Sequence, residues 1–289
     1  RYIAWRDAAS TLAYIVGPTL GGLLYTSSGQ SLSAVVGASA VGSLVAAALV
    51  AALVREDAPP LARRAAREIA KLENPDAPIL AGEEIVACPL GAGLVTAVAT
   101  VCIVTGLFSC GAATFDSYFG VLAMDRLGID TRTLGMCFTA LSSLSFLVST
   151  ACSAAVLRRL GAVRTCCLGL LAAGSGLVGL GYVCSAAASA SRGQQLAFWS
   201  AAALYQVGQP LYNPSIPTML LQCVPPYRRG AIMGLDSAVN TVARILAPVL
   251  LGTLYKLYGA ATCFYTAGGV VLAAATTAAA RRLLVLRSM

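Results

Sequence analysis

Two charged residues sit deep inside apolar runs, where a charge is costly unless it has a partner or water. Arg244 lies about 15 residues, roughly 22 Å, past the boundary of its run, counting 1.5 Å per helical residue. Asp236, Asn240 and Arg244 recur at i, i+4 and i+8, and Pro248 continues the stripe, so one helix face carries them all. Asp116 is the only acidic residue deep in its own run. An Asp116–Arg244 pair between two helices is therefore expected. It can be a static structural pair. It can also be a coupling pair, because a carboxylate that gains and loses an arginine partner can gain and lose a proton. Asp236 sits nearer the end of its run and reads as a loop-anchoring or helix N-terminal charge.

A second constellation is made of amides and phenols. Gln206, Gln209 and Asn213 fall at i, i+3 and i+7, on one face, with Tyr205 and Tyr212 beside them. Pro210, Pro214 and Pro217 interrupt the same helix and leave carbonyls without their usual donors. Such a helix lines a cavity for a small molecule, together with Asn240, or its amides bond neighbouring helices. Both readings stand at this stage.

Other chemistry is excluded or unsupported. The chain has no histidine, which removes histidine metal sites and Ser-His-Asp catalysis. The ten cysteines have no metal-ligand spacing; they read as small buried hydrophobes, not a disulfide framework. Neither H-E-x-x-H nor G-x-S-x-G occurs. No enzyme activity, metal or cofactor is indicated.

The elements that position these residues follow from composition. The chain is 58% hydrophobic and 11% charged, with apolar blocks of about 20 residues, the length that crosses a bilayer. No strand-like alternation is present, so the fold class is an all-α polytopic membrane protein. Eight spans are expected, at 8–26, 32–54, 90–119, 134–157, 165–187, 196–223, 231–255 and 260–280. Of the 20 Lys and Arg, 15 fall at the ends or on every second loop, which puts both ends in the cytoplasm. The net charge of +8 is thus a topology signal, and no nucleic-acid partner is implied. The lipid bilayer is the evident partner; no obligate protein partner is. Within the long loop, "LARRAAREIAKL" (61–72) reads as a helix on the inner membrane surface or a solvated linker helix.

The chain also repeats itself. Shifted by about 230 positions, "AASTLAYIVGPTLGGLLYTSSG" (8–29) lies over "AVNTVARILAPVLLGTLYKLYG" (238–259) without a gap. Pro18/Pro248, Gly22/Gly252, Tyr25/Tyr255 and Gly29/Gly259 are identical pairs, which shared hydrophobicity does not produce. Spans one and seven are equivalent members of two related halves, as in many transporters. Domains follow: 1–54, the last two helices of a first half; 55–89, a cytoplasmic central loop; 90–289, a six-helix second half. Four further spans are expected before Arg1 in an intact parent. In "AYIVGPTLGG", Ala13, Gly17 and Gly21 make a smooth face for close helix approach, and Pro18 bends the helix beside it.

These motifs resemble the major facilitator superfamily. "AYIVGPTLGG" is similar to its antiporter signature, with Ala13 replacing a glycine before Gly17, Pro18, Gly21 and Gly22. "AAVLRRLGAVR" resembles the degenerate second copy of its cytoplasmic loop motif at Arg158, Arg159 and Gly161, with Arg158 where that motif has aspartate. "ATFDSYFGVLAMDRLGID" and the segment 225–259 resemble helices seven and eleven of drug:proton, tetracycline-resistance-like antiporters. The resemblance implies a secondary active transporter of a small molecule, coupled to protons by antiport through alternating access. The competing reading is a non-transporting membrane scaffold or receptor-like protein derived from that fold. In the family, spans two, five and eight are outer helices. Their lack of charge, Asn or Gln agrees with a lipid-facing or scaffold place.

Overall fold

A computed structural model describes residues 13, 16–17, 20–29, 31–53, 92–185, 192–224 and 228–287, with backbone alone at 53, 92–93 and 281–287. The expected helix at 61–72 and Pro18 lie outside these residues. Two compact units result, one of Arg1–Leu23 with Gly91–Met289, the other of Leu24–Leu90. All regular structure among the described residues is helical.

In the smaller unit, α1 (Leu32–Leu53) is apolar on every side and almost wholly exposed. Its serines satisfy themselves within the helix: the Ser39 and Ser43 hydroxyls donate to the Val35 and Ser39 carbonyls at 3.0 Å. Before it, residues 20–27 are helical and Gly29 turns the chain with φ +68°. Gly259, its partner in the repeat, also has positive φ, +85°. Both copies thus end their helix on the residue that enters the left-handed region at no steric cost.

The larger unit holds α2 (Ala92–Leu127), α3 (Thr131–Leu147), a π-helical turn (Val148–Ser153), α4 (Ala154–Leu160), α5 (Ala162–Ser185), α6 (Arg192–Tyr212), α7 (Ser215–Cys223) and α8 (Arg229–Arg287). Five helical stretches among the described residues are long and apolar enough to cross a membrane. The last, Arg229–Ala280, contains Gly259 and therefore makes two crossings, the seventh and eighth spans of the sequence.

Three boundaries differ from expectation. Span three runs to Leu127 rather than Phe119, because the helix stops only where Gly128 turns it with φ +61°. The next helix starts at once, capped by Asp130, whose carboxylate accepts from the Thr133 amide (3.3 Å) and hydroxyl. The Thr133 hydroxyl bond, before any other influence, holds that carboxyl below the usual range. Span six is two helices: Pro210 lies inside α6, and a turn at 213–214 separates α6 from α7. Pro217 sits in the first turn of α7, where a missing N–H costs little.

Glycines decide how the helices meet. A methyl on Gly169 of α5 would stand 2.7 Å from the Tyr212 amide nitrogen, and one on Gly176 would stand 2.6 Å from that of Tyr205. On α6, Gly208 is equally close to Gly169 and Ala173. Helices α5 and α6 therefore run antiparallel, backbone against backbone. Gly174 and Gly268 do the same between α5 and the second limb of α8. Spans five and eight each have a buried face, with Leu170, Ala173 and Leu177 on α5 and Phe264, Ala267 and Val271 on α8. The cysteines follow the expected pattern in part: Cys166, Cys184 and Cys263 are buried, Cys152 is exposed, and all those described are free thiols.

Candidate functional site

Helices α2 and the first limb of α8 run parallel, and their contacts climb both helices in step. Thr105 meets Asp236, Gly106 meets Val239, Asp116 meets Arg244 and Tyr118 meets Pro248. The Arg244 Nη2 atom is 2.5 Å from Asp116 Oδ2, and the two side chains remain 45% and 49% exposed. Those exposures matter. Lipid against either charge costs several kcal/mol, whereas water costs little, so this face of the seam suits a water-filled path.

Directly beyond the pair, the Tyr118 hydroxyl donates to the Pro248 carbonyl at 2.7 Å. Gly252 leaves the room for that hydroxyl, because a methyl there would collide with it. The Tyr255 ring stacks on Tyr118 with centroids 5.2 Å apart. Three residues shared by both repeat copies thus hold one tyrosine in this copy. The close approach falls at Gly252, whereas no described residue lies within 4 Å of a methyl on Gly17 or Gly21. A methyl on Gly22 would be in ordinary contact with the Thr131 carbonyl, 3.5 Å away. Gly252→Ala is expected to lower the unfolding temperature of the detergent-purified protein more than Tyr118→Phe does. The double variant should be no worse than Tyr118→Phe alone, since the phenyl ring lacks the colliding oxygen. Additive losses in thermal-shift measurements would refute this packing.

The amide-and-phenol face of α6 is split by depth. Tyr205 and Tyr212 are buried and face α2, stacked on Phe115 at 4.1 Å and Phe108 at 3.8 Å. Because Phe115 precedes Asp116, this places α6 beside the ion pair. The Gln209 amide donates to the Tyr205 hydroxyl at 3.1 Å. Gln206 is only 8% exposed and has no hydrogen-bond partner among the described residues, while Asn213 is exposed at the α6–α7 turn. Asn240 is half-buried one turn from Arg244. No direct contact joins Gln206, Asn213 or Asn240 to the ion pair among the described residues.

Asp236 departs from expectation. Instead of anchoring a loop, it accepts from the Thr105 hydroxyl of α2 at 2.7 Å, which ties two helices together. At the cytoplasmic loop motif, Arg158 Nε donates to its own helix at the Ala154 carbonyl (3.2 Å), Arg159 is exposed, and Gly161 ends α4 with φ +79°. Among the described residues no group of His, Cys, Asp and Glu is arranged to hold a metal ion.

The sequence model of the Major Facilitator Superfamily matches residues 101–287, most of the larger unit. The chain belongs to the Major Facilitator Superfamily. This is a family of membrane transporters rather than enzymes, and the helical bundle is an integral membrane fold. Among solved structures, the chain is similar to the human organic anion transporter MFSD10 (TETRAN). That match has 17% identity over 64% of this chain and 41% of that one, with a TM-score of 0.56. It is also similar to the peptide transporter POT in complex with sulfate, at 17% identity over 65% and 38%, with a TM-score of 0.55. At such identity the likeness is one of fold, and the chain spans about two fifths of the length of these structures. No curated protein matches it.

Proposed function

We propose that this superfamily member acts in secondary active transport, exchanging a small molecule for protons by alternating access, with Asp116–Arg244 as the coupling pair. One observation carries the reading. A half-exposed ion pair joins α2 to α8 deep within two apolar spans, one turn below the proline of α8. Pro248 has no N–H for the Arg244 carbonyl, so the helix is loosened at the turn that carries the guanidinium. A proton on Asp116 removes the charge that holds Arg244, and α8 is then free to bend at that turn.

Gln206, Gln209, Asn213 and Asn240, with Tyr205 and Tyr212, supply the polar and aromatic lining, which suits a neutral or cationic amphiphile of the multidrug-efflux kind. In this proposal both ends lie in the cytoplasm. Residues 1–54 close one half, 90–289 form the other, and 55–89 connect them. Gly17 and Gly21, with Ala13, Pro18 and Gly22, serve the contact between halves.

The test is proton movement. In liposomes carrying the protein and an internal pH dye, adding the cationic dye ethidium under a pH gradient should drive proton flux. Asp116→Asn should reduce that flux at least tenfold. Flux unchanged in Asp116→Asn would remove the coupling role.

A further inference from the structure

Three helices converge on Asp236, outside the coupling pair. Thr105 of α2 is 2% exposed and Tyr212 of α6 is 5% exposed, while Asp236 of α8 is half-buried. The Thr105 hydroxyl donates to Asp236 Oδ1 at 2.7 Å. A hydroxyl has one proton to give. Since Thr105 gives its one proton to the carboxylate, it is a donor to Asp236 and not an acceptor from it. Phe108 of α2 stacks on Tyr212 at 3.8 Å, which holds α6 against α2 at this level.

Against these neutral groups stands a full negative charge. The ion pair seen among the described residues is Asp116 with Arg244, two turns further along α8. Arg229, in the first turn of α8, is committed to the Val224 and Leu221 carbonyls at 3.3 and 3.4 Å. The titratable groups facing Asp236 are Cys102 of α2 and Tyr212 of α6, with Cys166 of α5 behind the phenol. Asn240 lies one turn above it on α8, and the one titratable residue of α7 is Cys223. None of these supplies a positive charge. A single neutral hydrogen bond does not offset a carboxylate among apolar helices.

We propose that Asp236 is a second proton-loading site, about 12 Å along α8 from the Asp116–Arg244 pair, at eight residues' separation. The ligand is a proton rather than a metal cation because the site is short of oxygens. Metal cations of this kind gather about six. Here the carboxylate stands with one threonine hydroxyl that already donates to it. The site's half-exposure on the α2–α8 seam gives the proton its route. This assignment does not require Asp116 to be the coupling group.

Infrared difference spectra of the full chain in lipid nanodiscs, recorded between pH 5 and pH 9, read carboxyl protonation without any transport assay. A carboxyl band retained in Asp116→Asn should be lost in Asp236→Asn. Its midpoint should move by about one pH unit or more in Thr105→Val, the size expected when a hydrogen bond to a charged group is removed. An Asp236→Asn spectrum that superimposes on that of the unaltered protein overturns the proposal. If Asp236→Asn does not fold, Thr105→Val decides: a midpoint that stays within a few tenths of a unit overturns it equally. Ethidium-driven proton flux that stays unchanged in Asp116→Asn, with the Asp236 band intact, would instead count against the coupling role of Asp116.

Discussion

Gly208→Leu is expected to abolish folding of the bundle, and even Gly208→Ala should weaken it strongly. A methyl at this position would stand 2.5 Å from the Gly169 carbonyl oxygen, 2.6 Å from the Ala173 amide nitrogen and 2.9 Å from the Ala173 side chain. The first two are backbone atoms of a helix packed on several sides. They cannot swing away as a side-chain tip can, so α6 must move as a body. The consequences reach the site, because α6 also carries Tyr205 and Tyr212. Their stacks on Phe115 and Phe108, at 4.1 and 3.8 Å, leave no slack for a helix displaced by an ångström.

Overpacking by one methyl costs about 1–3 kcal/mol where side chains can adjust, and more where only backbone is available. A control isolates sterics from helix propensity. Gly234 of α8 has nothing within 4 Å of an added methyl. Gly234→Ala should be neutral or stabilising by up to about 1 kcal/mol, since alanine is the better helix residue. Thermal unfolding followed by size-exclusion chromatography separates the two. A monodisperse Gly208→Leu protein with an unchanged midpoint would show that α5 and α6 do not meet as described.

The contrast between these glycines explains what a single sequence can and cannot disclose. The helical class was legible because blocks of about 20 apolar residues have one stable form in lipid. The break between spans seven and eight was legible as the interval between 255 and 260, and the structure puts it at Gly259, whose φ is positive like that of its repeat partner Gly29. The meeting of Asp116 with Arg244 followed from scarcity: two deep charges of opposite sign had few other partners. The Gly169–Gly208 seam had no such signature. The chain has 28 glycines, and which of them face a neighbouring backbone depends on the rotation of each helix. Asp236 was misplaced for the same reason. Its depth was counted along its own helix, but its role is set by Thr105, a residue too ordinary to stand out, brought level with it by the parallel register of α2 and α8. The break at 213–214 was foreshadowed by three prolines, yet their sequence does not say which of them ends the helix.

Exchanging the two charges, Asp116→Arg with Arg244→Asp, should restore the bundle while leaving proton coupling broken. Asp116→Arg alone places two guanidinium groups where the pair now stands 2.5 Å apart, and that protein should fail to fold. Asp116→Asn leaves Arg244 without its counter-charge. With both side chains about half exposed, the loss of stability should be about 1–3 kcal/mol, between the values for surface and fully buried pairs. The exchanged protein regains an ion pair and should return to within a few degrees of the original unfolding temperature. Its carboxylate, however, now rides on α8 at the turn loosened by Pro248, and its guanidinium on α2, which carries no proline. Protonation would then discharge the moving helix instead of the fixed one, so ethidium-driven proton flux should stay at least tenfold below that of the original protein. Full recovery of flux in the exchanged protein would mean that only the attraction between the helices matters, not which helix bears the proton. That result would reduce Asp116–Arg244 to a structural tie.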